Sequence, residues 1–123
     1  MNYVFDHIQA ISKLLQARKK IILLTDFDGT LTDIRDRPDL AVLSEDARQI
    51  LLKIARDKSF FLGIITGRSL RQIKKLVNIP DILYVANHGI ELEGPGIHFR
   101  SSEAKKARCD LWNVYMRLFT SLR

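Results

Sequence analysis

Three short apolar runs do most to limit what this chain can become. Residues 21–25 read IILLT, residues 60–66 read FFLGIIT and residues 83–86 read LYVA. Each has the length of a strand; the first reads as a strand buried on both faces, the second as another buried strand and the last as a third strand. Helical spacing fills the gaps between them. Ser44 is placed to cap a helix from 45 to about 57, with Ala47, Ile50, Leu51 and Ile54 facing in. A shorter helix follows over 69–77, with Leu70, Ile73 and Leu76 or Val77 inward and Pro80 marking its end. Strand, helix, strand, helix, strand predicts an α/β fold with a parallel sheet of βαβ units.

The remaining segments are read in the same way. Val4, Ile8, Ile11 and Leu15 mark one face of a helix over residues 3–17, and residues 32–43, with Pro38 and several aspartates, read as loop. Residues 90–99, IELEGPGIHF, predict two short antiparallel strands turning at Gly94-Pro95-Gly96. Ser101 or Ser102 then caps a last helix with Ala107, Leu111, Val114, Tyr115, Leu118 and Leu122 on one side. Its Cys109 reads as a small packed side chain, and Trp112 and Phe119 as packing.

Composition excludes several classes. The 123 residues are 46% hydrophobic and 28% charged, as in an ordinary soluble globular chain. No run approaches the roughly 18 apolar residues of a membrane helix, and the N-terminus is a poor signal peptide, so no membrane role is expected. The net charge of +6 is scattered along helical faces without interleaved aromatics, which argues against nucleic acid and for attraction of a small anionic substrate or plain solubility. A single cysteine excludes an internal disulfide and fits a cytoplasmic location. His7 and His98 have no partners at metal-ligand spacing.

The first run ends in an unusual way: Asp26-Phe27-Asp28-Gly29-Thr30. Ligand sites of open parallel sheets lie beyond the carboxyl ends of the strands, and Asp26, Thr66 and Asn87 fall there on three different strands. An EF-hand loop counted from Asp26 fails, because its fourth position is Gly29 and its twelfth is Arg37. An exposed turn with incidental acids fits poorly at the end of a buried strand. Phosphoryl transfer fits better. Asp26 would attack phosphorus as a carboxylate nucleophile, while Asp28 would protonate the leaving oxygen and then activate water. A Mg²⁺ held by Asp26 and Asp28 would offset their repulsion. Gly29 would let backbone amides approach the phosphate, and Thr30 would fix the turn with its hydroxyl.

These residues resemble a known group. Asp26-Phe27-Asp28-Gly29-Thr30-Leu31 is similar to the first motif of the haloacid dehalogenase-like hydrolases, mostly Mg²⁺-dependent phosphatases, and Thr66 in GIITGR to their second. ITGR before a helix, the loop from Arg35 to Leu43 with its proline, and Asn87-His88-Gly89 with Glu91 resemble the trehalose-phosphatase family. The resemblance runs from about Lys20 to Phe99. It implies the first half of a Rossmann-like parallel sheet over residues 1–92 and the beginning of a sugar-recognising cap over 93–123. It also implies hydrolysis of trehalose 6-phosphate through a phosphoaspartyl intermediate, with Mg²⁺ as cofactor. Thr66 and Gly67, with Gly29, Thr30 and Arg68, would bind the phosphate; Asn87, His88 and Glu91 would contact the sugar. The residues leave other roles open: His88 could orient its turn, Glu91 could be a solvated strand residue, and Arg68 could cap a helix or pair with an acid.

The resemblance also implies two motifs that are missing, a lysine beside the nucleophile and an acidic pair that completes the metal site. Past Glu93 the only acids are Glu103 and Asp110, and Lys105 and Lys106 lie with them on the last predicted helix. In that fold the first strand is central, so residues 21–25 would here present an unpaired apolar edge. The expectation is an N-terminal portion, a truncated product or half of a split enzyme, with a complementing chain carrying the remaining strands. Two other readings stand beside it: a phosphatase for sucrose phosphate, mannosyl-phosphoglycerate or a related sugar phosphate, and a non-catalytic half that pairs with another chain.

Overall fold

The computed structural model describes residues 3–34, 36–103 and 106. A 3₁₀ turn at Val4–His7 leads into helix α1 (Ile8–Gln16), then strand β1 (Ile21–Asp26), helix α2 (Glu45–Arg56), strand β2 (Phe60–Ile65), helix α3 (Leu70–Val77) and strand β3 (Leu83–Ala86). Strands β4 (Glu91–Gly94) and β5 (Ile97–Arg100) form the expected hairpin. The five strands make one sheet in the order β1-β2-β3-β4-β5, parallel across the first three and antiparallel thereafter.

Two consecutive βαβ units progressing in the same direction place both crossover helices on one face of the sheet. The core forms there: Leu51 from α2 and Ile73 and Val77 from α3 pack with Leu62, Ile64, Tyr84 and Ala86 from the strands. Each such buried aliphatic side chain contributes about 1.5–3 kcal/mol. Local chemistry fixes the helix ends. Ser44 caps α2 by accepting from the Ala47 N–H, and Ser69 and Gln72 form a reciprocal capping box on α3. Arg48 of α2 donates to the carbonyls of Leu76 and Val77, which binds the C-terminus of α3 to its neighbour.

Several expectations change. β1 is not buried on both faces: it is an edge strand, and Ile22 and Leu24 on its outer face remain 71% and 46% exposed. Among the described residues, no strand pairs with its outer edge. Ile50 of α2 is exposed, and Leu52 and Ala55 pack against the core alongside Leu51, because the stripe is rotated toward Arg48. The 32–43 segment is more than loop: it holds a 3₁₀ turn at Pro38–Leu40, and Ala41 and Leu43 are buried. α1 forms, but no residue in it is buried. Most of the predicted last helix, with Cys109, Trp112 and Phe119, lies outside the described residues. No helix among the described residues is long and apolar enough to cross a membrane.

Candidate active site

Parallel pairing brings the three expected positions together at one end of the sheet. Asp26 is the last residue of β1, opposite Ile65 of β2, while Thr66 and Asn87 immediately follow β2 and β3. The Thr66 N–H donates to Val85 O at 2.9 Å, the Asn87 N–H to Arg68 O at 2.9 Å and the His88 N–H to Thr66 O at 3.1 Å. Short bonds of this kind knit the two strand-end turns into one rigid platform.

The turn after β1 is wired by its backbone. Phe27 O accepts from the N–H groups of Leu31 and Thr32, and the Gly29 N–H donates to Thr32 O at 2.8 Å. Gly29 has φ +86°, a left-handed conformation that a Cβ would strain. The side-chain lock is not Thr30, which is exposed and hydrogen-bonds no described residue, but the buried Thr32, whose hydroxyl donates to Phe27 O at 3.3 Å. Phe27 is fully buried and anchors the turn in the core.

Asp26 is exposed, and its carboxylate makes no ion pair among the described residues. Asp28 does the opposite. Arg68 donates Nε to its Oδ2 at 2.8 Å and Nη2 to its Oδ1 at 2.6 Å, a bidentate fork across 40 residues of sequence. The guanidinium lies 5.4 Å from the centroid of the Phe27 ring, and its side chain is only 10% exposed. The hydrogen bonds it donates to Asp28 hold the Arg68 pKa above its ordinary value, against the opposing effect of burial. Thr66 is buried, and its Oγ1 accepts from the Arg68 N–H at 3.1 Å. The hydroxyl proton can therefore point at an oxygen held above the turn.

The other site residues assemble beside these. His88 has φ +56°, and its ring lies so close to Gly67 that a Cβ there would come within 2.6 Å of Cε1. Asn87 donates Nδ2 to Glu91 Oε2 at 2.7 Å, and Glu91 also pairs with Arg100. Glu91 is thus tied into a network, not a solvated strand residue. Asn87 and Glu91 line a cleft of about 550 Å³ with Arg71, Lys74, Glu93 and Arg100. Sequence reasoning missed Arg100, Thr32 and the partner of Arg68; the cross-strand register of Glu91 and Arg100 is the one signal that a hairpin alignment would have supplied.

The profile of the trehalose-phosphatase family matches residues 24–117. The chain belongs to the trehalose-phosphatase family. Trehalose-phosphate phosphatase B of Arabidopsis thaliana is 34% identical over 92 residues, covering 75% of this chain and 23% of the relative. A solved trehalose-6-phosphate phosphatase of Aspergillus fumigatus superposes with a TM-score of 0.62 at 28% identity, over 68% of this chain and 31% of that one. A haloacid dehalogenase-like hydrolase of B. subtilis shares the fold, with a TM-score of 0.55 at 19% identity over 78% of this chain and 33% of the other. The chain therefore spans about a quarter to a third of the length of these three relatives.

As a donor set for a hard cation, the site is sparse. Among the described residues no group of three or more acids, histidines or cysteines could hold a metal. Asp26 offers a free carboxylate, and Asp28 offers one only if Arg68 yields. Mg²⁺ characteristically uses one or two carboxylates and takes the rest of its shell from water and substrate phosphate, and these two residues fit that pattern.

Proposed function

We propose that this chain carries the nucleophile-bearing half of a phosphomonoesterase that acts on trehalose 6-phosphate. Residues 1–92 form the first half of the core, and 93–123 begin the sugar-recognising cap. The observation that carries the reading is the convergence of Asp26, Thr66 and Asn87 at the carboxyl ends of three adjacent parallel strands, in a family of trehalose phosphatases.

The chemistry follows from the residues. An Asp26 oxygen attacks phosphorus and forms a P–O bond as the bond to the sugar oxygen breaks. Asp28, once it has left the Arg68 fork and taken up a proton from solvent, gives that proton to the departing oxygen. Water then attacks the phosphoaspartyl group and gives its proton to Asp28, releasing phosphate and restoring Asp26. Thr66 donates its hydroxyl to a phosphoryl oxygen, and the backbone around Gly29, Thr30 and Gly67 leaves room for the others. Asn87, His88 and Glu91 face the sugar beside a cleft of a size suited to a small polar ligand. Mg²⁺, held by Asp26 and Asp28, would neutralise charge on the phosphoryl oxygens. With so few protein donors its affinity is weak, with a dissociation constant of about a millimolar or higher.

The test is phosphate release from trehalose 6-phosphate with Mg²⁺, measured beside Asp26→Asn. Release that disappears in the variant supports the nucleophile. If this chain alone releases none, ¹⁹F NMR with beryllofluoride and Mg²⁺ reads the same point, since the adduct forms on the nucleophilic carboxylate. An adduct that persists in Asp26→Asn sinks the assignment. A second reading, a half that works with a complementing chain, is favoured by the open β1 edge with Ile22 and Leu24 beside it. Activity that appears only on mixing with the remaining strands would select it.

A further inference from the structure

We infer that Arg68 is an exchangeable counter-ion, which occupies both carboxylate oxygens of Asp28 and must be displaced before that carboxylate can meet a divalent cation or a substrate. The inference rests on the phosphatase reading of the site and deepens it.

Three observations carry it. First, the fork uses both Asp28 oxygens, through Arg68 Nε at 2.8 Å and Nη2 at 2.6 Å, so no oxygen is left without a charged donor. Second, Arg68 is not a long side chain that happens to fall there. Its guanidinium lies over the buried Phe27 ring, its N–H is held by Thr66 Oγ1 and its carbonyl accepts from Asn87. The backbone of Arg68 is thus fixed by two of the three strand ends that build the site, and only the side chain is free to turn. Third, the adjacent Asp26 carboxylate has no ion pair among the described residues, so the positive charge is committed to one acid of the two.

A guanidinium fork and a hard cation compete at this carboxylate, because the fork takes one lone pair from each oxygen and its positive charge repels a metal from those that remain. Once displaced, the same fork matches a phosphoryl group, whose oxygens present the geometry that arginine recognises bidentately. Arg68 therefore exchanges partners, from Asp28 in the free chain to the phosphate when substrate and cation arrive. This unites two of the roles that the sequence left open for it, pairing with an acid and touching phosphate.

The experiment is a Mg²⁺ titration of the full chain at fixed ionic strength, followed by amide NMR shifts at residues 26–32 and 66–68. Arg68→Gln is expected to bind Mg²⁺ about five- to tenfold more tightly, and Arg68→Lys about two- to threefold more tightly, since a charged hydrogen-bonded pair is lost in the first and weakened in the second. The lysine variant is decisive, because it keeps the charge and removes the fork. Arg68→Lys titrating like the wild type would show that only long-range charge matters and would overturn the inference. So would unchanged or weaker binding in Arg68→Gln, or the absence of site shifts in every variant. Asp26→Asn separates the two levels of the argument. If it binds Mg²⁺ as the wild type does, the phosphatase reading of the site falls. If it loses binding while Arg68→Gln changes nothing, only the role of Arg68 falls.

Discussion

At Gly67 a hydrogen atom is all that stands between the backbone and the His88 ring, since a Cβ would lie 2.6 Å from Cε1. The ring is exposed and can rotate away, so Gly67→Ala should cost only about 1 kcal/mol in denaturant unfolding. Most of that cost should vanish in the Gly67→Ala/His88→Ala double variant, a coupling that a merely local backbone effect would not show. The turn at Phe27 offers a sharper contrast. Thr32→Val removes a buried hydroxyl that donates to Phe27 O and should cost about 1 kcal/mol, whereas Thr30→Val should stay within about 0.5 kcal/mol. Equal costs would return the lock to Thr30. Residues of this kind mark how far sequence reading reached. Asp26, Asp28 and Thr66 were legible because strand ends can be read from apolar runs. The Arg68–Asp28 fork was not, because nothing local ties residue 68 to residue 28. Thr30 and Thr32 lie in one turn, and only its backbone geometry decides which hydroxyl points inward.

Among the elements, β3 and α3 carry the most instructive polar contacts. The buried Tyr84 hydroxyl donates to Ile79 O at 2.7 Å and accepts from the Ile79 N–H at 3.3 Å, which fixes the connection from α3 to β3. Burial pushes the Tyr84 phenol up from its ordinary value, with the bond to Ile79 opposing the shift. The folded pKa is raised, so this group's contribution to stability is complete below the unfolded value near 10. It is lost as pH rises from there through the folded pKa, because the unfolded chain releases the proton first. Tyr84→Phe should therefore cost about 1–3 kcal/mol at neutral pH and flatten the alkaline decline, as read by urea unfolding from pH 8 to 11. A decline just as steep in the variant would assign it to other groups. Arg48 acts between elements. Arg48→Gln leaves the last carbonyls of α3 without their charged donor and should cost about 1–2 kcal/mol by the same assay. The three described helices and all five strands were legible from periodicity and turn residues, but the rotation of α2 that exposes Ile50 was not. A half-buried arginine counts as polar in any pattern, yet here it occupies the inner stripe.

For the whole molecule the decisive feature is that the described helices α2 and α3 cover one face of the sheet. Ile22, Leu24, Ile65, Ile97 and Phe99 are exposed, and among the described residues no strand neighbours the outer edge of β1. The run IILLT has the composition of a strand buried on both faces, and that inference was sound as far as local pattern can carry it. Burial is a property of what lies across from a residue, so composition registers the environment a strand is suited to, whether or not these residues provide it. The apolar side chains along β1 should therefore drive association, through the edge, the face that bears them or both. Light scattering across a concentration series should show the apparent mass of the wild-type chain rising with concentration. Ile22→Lys or Leu24→Lys should suppress the rise, with unfolding free energy within about 0.5 kcal/mol of the wild type because neither side chain belongs to the core. Suppression by these changes but not by Ile50→Lys, an equally exposed apolar position on α2, would locate the association at β1. Suppression by all three alike would mean that the added charge, and not the strand, governs it.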